Sequence, residues 1–181
     1  NEGELIIGLQ NIPSAETVSL YFHMENYSGN FDKIISDENK PNWSYLCNDE
    51  WKSFKKTDIL KDTTNKFSGS GIIKFNLSSD AITTHSLMPN EHVWIKASVP
   101  SDSDAFPYLD TISAQAVEAV FCNTNNETSH LENGIPENTI TKPDIKILGI
   151  KKINQPYPSY GGIAKEENRT FYTRISERLR H

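Results

Sequence analysis

Histidine, cysteine, serine and paired acids are the side chains most able to do chemistry, and their spacing decides whether they do. The five histidines are His23, His85, His92, His130 and His181. None forms a His-x-x-x-His pair or stands at metal-ligand spacing from a cysteine, so no metal site is expected. Cys47 and Cys122 lie 75 residues apart. Cys47 follows the inward alternation of a strand and reads as a buried free thiol, with a disulfide to Cys122 across a sandwich as the alternative. No base is placed to activate either thiol, and no Gly-x-Ser-x-Gly elbow is present. Gly69-Ser70-Gly71 has the look of a phosphate loop, but it opens a strand and lacks the Lys-Ser/Thr that would follow, so it reads as a turn. Asp102-Ser103-Asp104 offers carboxylates to calcium without the rest of an EF-hand loop and reads as a solvated loop. No pair of acids stands out for acid–base work. No catalytic residue, cofactor, metal or small-molecule substrate is therefore expected.

Trp43, Trp51 and Trp94 raise a binding reading instead. Trp94 is predicted on the side of its strand opposite Val93, Ile95 and Ala97. Exposed, it would be a stacking platform of the kind that carbohydrate-binding β-sandwiches use; covered by a loop or a second sheet, it is ordinary packing.

The elements that must position these residues follow from the rest of the chain. It has 181 residues, 24 acids against 18 basic groups, 36% apolar residues and 10% aromatics. That is too aromatic for a disordered chain, too poor in cysteine for a disulfide scaffold, and too acidic for general nucleic-acid affinity. No run approaches the roughly 20 apolar residues that cross a bilayer as a helix. The charge is uneven: residues 142–181 hold nine basic groups and four acids, so net −6 divides into −11 followed by +5. Such a shift suggests a change of structural unit.

Apolar residues alternate with polar ones at Val18, Leu20, Phe22 and Met24, at Trp43, Tyr45 and Cys47, at Ile73, Phe75 and Leu77, and at Val93, Ile95, Ala97 and Val99. A period of two marks half-buried strands. Leu5–Leu9 is a further short apolar run, and Asn48-Asp49-Glu50 reads as a hairpin turn. From Ile112 to Phe121 the alternation slips by one, which predicts a β-bulge or, alternatively, a short buried helix. The polar segment from Asn26 to Asn42 reads as a long loop. The fold class is mainly β, an antiparallel β-sandwich with a C-terminal extension and a short terminal helix. The expected division is a sandwich over 1–122, an extended linker over 123–160 with a strand through Ile145, Ile147 and Ile150, and the start of a further domain over 161–181. Within that last part Phe171, Ile175 and Leu179 share one face of a helix at about 167–180, with acids near its start and Arg178, Arg180 and His181 near its end. The opening at Asn1 without Met and the close at Arg180-His181 without a finishing turn predict a piece of a longer polypeptide.

Whole phrases carry a family resemblance. They are Glu4-Leu5-Ile6-Ile7-Gly8-Leu9 with Val18-Ser19-Leu20-Tyr21-Phe22; Trp43-Ser44-Tyr45-Leu46 with Glu50-Trp51 and Phe54; Ile59-Leu60-Lys61-Asp62-Thr63-Thr64 with Phe67 and Ser70-Gly71-Ile72-Ile73-Lys74-Phe75; and Trp94-Ile95-Lys96-Ala97-Ser98. Asn154-Gln155-Pro156, Tyr160-Gly161-Gly162 and the closing Phe171-Tyr172, Arg174-Ile175-Ser176-Glu177-Arg178-Leu179-Arg180-His181 complete the set. Together they resemble the baseplate J-like proteins of contractile phage tails, type VI secretion and extracellular contractile injection systems. The chain departs from the pattern at Ile163-Ala164-Lys165, where a more basic or Pro-containing stretch would be expected. The resemblance implies a non-enzymatic structural role in a baseplate wedge. Its implied partners are other wedge subunits and copies of itself, and its implied location is the cytoplasm, within an assembled baseplate particle. It brings no catalytic residues. The interaction residues expected are Phe171, Ile175 and Leu179, docking on the same subunit or a neighbour, with Arg174, Arg178 and Arg180 pairing to acidic partners. A carbohydrate-binding β-sandwich is the alternative reading.

Overall fold

The computed structural model describes residues 2–13, 15–26, 28–30, 32–120 and 134–160. Two units are distinguished, Asn1–Glu118 and Ala119–His181. The first holds eight strands: β1 Gly3–Gln10, β2 Thr17–Met24, β3 Asn42–Cys47, β4 Glu50–Ser53, β5 Ile59–Asp62, β6 Gly71–Asn76, β7 His92–Val99 and β8 Leu109–Ala114. They form two antiparallel four-stranded sheets, in the orders β1-β7-β3-β4 and β5-β6-β2-β8.

The period of two explains the core. In β2 and β7 every second residue is buried, from Val18 to Met24 and from Val93 to Val99. One cluster joins Ile7, Leu9, Trp43, Tyr45, Cys47, Val93, Ile95 and Ala97 of the first sheet to Val18, Leu20, Phe22, Met24, Ile73 and Phe75 of the second. Burying side chains of this size contributes about 1.5–3 kcal/mol each. Trp43 lies at the centre, with ring centroids 5.7 Å from Phe22, 5.7 Å from Phe67 and 5.0 Å from Phe75.

Turns follow from local chemistry. Asn48 and Asp49 both take left-handed backbone (φ 49° and 64°), the geometry a two-residue hairpin requires and one that Asn and Asp tolerate. Gly69-Ser70-Gly71 is a turn, as its sequence suggests. The Ser70 hydroxyl accepts from Met24 N at 2.8 Å and donates to Met24 O at 3.2 Å. A Cβ on Gly71 would lie 2.6 Å from the backbone of Thr63, so this close approach needs glycine.

One strand is added to those expected, and two expectations are corrected. β5 is a strand that alternation does not announce, because Ile59 alone points inward and Leu60 to Asp62 are exposed. β8 is displaced towards the N-terminus: it runs Leu109–Ala114, not Ile112 to Phe121. Its bulge falls at Asp110, which the pairing with His23 and Met24 skips. Gln115, with left-handed backbone (φ 59°), ends the strand, so the slip between Ala116 and Val117 falls beyond it. Just beyond it, Ala116 N still donates to Ser19 O at 3.2 Å, and Ser19 Oγ donates to Ala116 O at 2.7 Å.

The second correction falls in the second unit, of which 134–160 is described. No strand forms through Ile145, Ile147 and Ile150. The ends of the segment are pinned by paired backbone bonds between Ile135 and Ser159, each 2.9 Å, and by Asn138 N donating to Gln155 O at 2.8 Å. Between these ends Ile145, Ile147, Leu148 and Ile150 are 75%, 51%, 98% and 46% exposed. Alternation alone makes no strand when no neighbouring strand supplies the ladder bonds.

Candidate assembly surfaces

The residues that sequence reasoning chose for docking, Phe171, Arg174, Ile175, Arg178, Leu179 and Arg180, lie outside the described residues, as do Cys122, His130, His181 and the helix at 167–180. The described surface offers other features.

The outer face of the first sheet carries an aromatic row. Trp94 of β7 pairs with Gly8 of β1, and Trp51 of β4 pairs with Leu46 of β3. Leu46 is fully buried although it points away from the inter-sheet core. Trp94 is half-buried. Its Nε1 donates to Pro89 O at 2.9 Å, its ring lies 5.2 Å from His92, and it leaves no room for a Cβ on Gly8. Lys96 Nζ sits 4.6 Å over the Trp51 ring and 3.2 Å from Glu4. A cation held this way is attracted to the ring's electron-rich face. Both tryptophans thus already spend ring surface within the chain, while Trp43 is in the core. This favours the packing reading over a sugar platform.

At one end, the carboxylate of Asp80 gathers three side chains from β3 and β4. Lys52 Nζ lies at 2.7 Å, Tyr45 Oη donates at 3.0 Å, and Cys47 Sγ donates at 3.5 Å. Lys52 first, then Ser78 and Tyr45, hold the Asp80 carboxyl well below the usual carboxylate range. Asp80 in turn raises Lys52, and burial raises the Tyr45 phenol. Cys47 is a buried free thiol, as its alternation predicted. With its sulfur donating to a carboxylate beside a lysine, its role here is to close a polar cluster.

Asp49 anchors the loop before β7. It accepts from Ser86 N at 2.7 Å, Ser86 Oγ at 2.6 Å and Leu87 N at 3.2 Å, and these bonds, the hydroxyl first, lower its carboxyl. The loop is thereby held down, and His85 within it is buried with neither ring nitrogen hydrogen-bonded. Nothing in the sequence signals the burial of His85. His23 lies half-buried on the outer face of the second sheet, its Nδ1 3.1 Å from Tyr21 Oη.

Asp102 and Asp104 do converge on a positive charge. It is Lys33 Nζ, at 3.2 Å and 2.7 Å, reaching in from the long loop. These contacts lower both carboxyls and raise the amine. The position calcium would take is filled by an internal cation. Among the described residues no group of three or more His, Cys, Asp or Glu side chains could hold a metal, and no helix is long and apolar enough to cross a membrane.

These contacts stiffen a β-sandwich and pin its loops. A comparison with curated proteins returns no match. The family model described as baseplate protein PVC11-like matches residues 1–181, the whole length of the sequence. The chain therefore belongs to the PVC11-like family of baseplate proteins, structural components of contractile injection systems.

Proposed function

We propose that the chain is a non-enzymatic structural module of a baseplate wedge component, related to the baseplate J-like proteins, in a phage tail-like or type VI-like injection system. The observation that carries this reading is the family match along all 181 residues. The sandwich agrees with it, because two paired sheets with loops held by Asp49, Asp80 and Lys33 make a stiff spacer. On this reading residues 1–122 are the spacer, 123–160 the connection and 161–181 the start of the next unit. The chain is made in the cytoplasm and joins other wedge subunits there. Phe171, Ile175 and Leu179 dock on a subunit of the wedge, and Arg174, Arg178 and Arg180 meet acidic partners.

The test is assembly. Particles purified from cells carrying Arg174→Ala, Arg178→Ala and Arg180→Ala together should contain fewer complete baseplates than wild type, seen by negative-stain electron microscopy. An unchanged yield would remove those arginines from the interface. Particles that assemble fully without the chain would overturn the wedge role.

A further inference from the structure

A sheet edge presents unpaired N–H and C=O groups, and proteins protect such edges with short strands, lysines, prolines or bulges. The sandwich has four edges. β4 is four residues long and carries Lys52. β5 is four residues long, carries Lys61 and is irregular between Ile59 and Lys61. β8 is bulged at Asp110. β1 has none of these devices. It is eight residues long, pairs with β7 in unbroken register, holds no lysine or proline, and leaves Ile6 42% exposed on its outer face. Among the described residues no strand lies against its free edge.

The second unit holds a segment suited to that edge. Ile145 and Ile147 alternate with Lys146 and Leu148, and all three apolar side chains are exposed. One exposed turn bond, Ile150 N to Ile147 O at 3.3 Å, and left-handed Gly149 close its tip. Glycine takes extended backbone as readily, so straightening the tip gives up little. Charge matches as well. Residues 142–152 carry four lysines and one aspartate, whereas residues 1–118 carry nine lysines against seventeen acids.

We propose that the free edge of β1 takes residues 144–148 of a second copy of this chain as a fifth strand of the first sheet. Ladder bonds supply the affinity, and the alternate side chains set the register. Ile145 and Ile147 face inward beside Leu5, Ile7 and Leu9. Lys146 and Leu148 face outward beside Glu4 and Ile6. Donor and acceptor surfaces differ, so the contact is head-to-tail and builds rings or filaments. The inference deepens the baseplate reading and rests on it only for the ring it would build.

The test uses full-length chains carrying Cys122→Ser, in which Cys47 is buried. One differently tagged chain carries Ile6→Cys and the other Leu148→Cys, and the mixture is treated with a short bismaleimide. The expected result is a cross-linked heterodimer whose yield rises with concentration. Adding Ile147→Pro to the donor should weaken association about tenfold or more. Hydrogen exchange should show residues 3–10 of the wild-type chain becoming protected as concentration rises. Cross-links only between two Ile6→Cys chains would mean that the edge pairs with itself, which overturns the proposal. So would a chain that sediments as a monomer throughout. A monomer that still enters baseplates would refute the strand addition and leave the wedge role standing. Self-association by a chain dispensable for baseplates would do the reverse.

Discussion

In β2, Val18, Leu20, Phe22 and Met24 alternate with half-buried neighbours and are themselves buried, while Ile145 and Ile147 alternate around Lys146 and stand in solvent. The two stretches differ in their surroundings more than in their letters. β2 has β6 on one side and β8 on the other, and a second sheet beneath it. The segment at 145–150 has none of these within the described residues. A strand pattern states a capacity, and the neighbours decide whether it is realised.

Mutations test this contrast. The largest effect is expected from Phe22→Ala, which opens a cavity beside Trp43 and Phe67 and should cost about 3–5 kcal/mol in urea unfolding. An intermediate effect is expected at Asp80, and it depends on pH. Its carboxyl is held below the ordinary 3.8, so its contribution is complete above that value and is lost as pH falls through and below it. Thermal unfolding of wild type should therefore weaken more steeply than that of Asp80→Asn between about pH 5 and 2, and added salt should shrink the difference. Equal slopes would show that the cluster does not act on folding. The smallest effect is expected from Leu148→Asp in dilute solution, within about 0.5 kcal/mol. A loss comparable with that of Phe22→Ala would mean that Leu148 is buried in the isolated chain, and the contrast would collapse.

Much of the sandwich was legible in the sequence because four strands, β2, β3, β6 and β7, alternate an inward apolar residue with a neighbour of the other face. β5 was not, since a four-residue edge strand with one inward residue leaves almost no period. The end of β8 was misplaced because the left-handed backbone at Gln115 leaves no mark in the letters, and the apolar residues continue past it. The surfaces were harder. That β1 is an edge is a fact of topology, settled by which strands pair, and no residue of β1 announces it. The burial of His85 depends on Asp49 holding its neighbours, from 36 positions upstream. The Asp102–Asp104 pair was visible, but its cation, Lys33, lay hidden in a loop with no regular pattern.

The turn between β5 and β6 has a further consequence. Asn65, Lys66 and Phe67 all adopt left-handed backbone, at φ 51°, 61° and 67°, which costs a non-glycine residue about 1–2 kcal/mol at each position. Thr64 Oγ1 fixes the turn by accepting from Phe67 N at 3.0 Å, and the ring of Phe67 packs between Phe22 and Trp43. The three positions should therefore tolerate substitution unequally. Glycine at 65 or 66 would relax the backbone and lose little beyond exposed contacts. At position 67 glycine would relax the backbone but empty the space between Phe22 and Trp43, so no single substitution satisfies both demands.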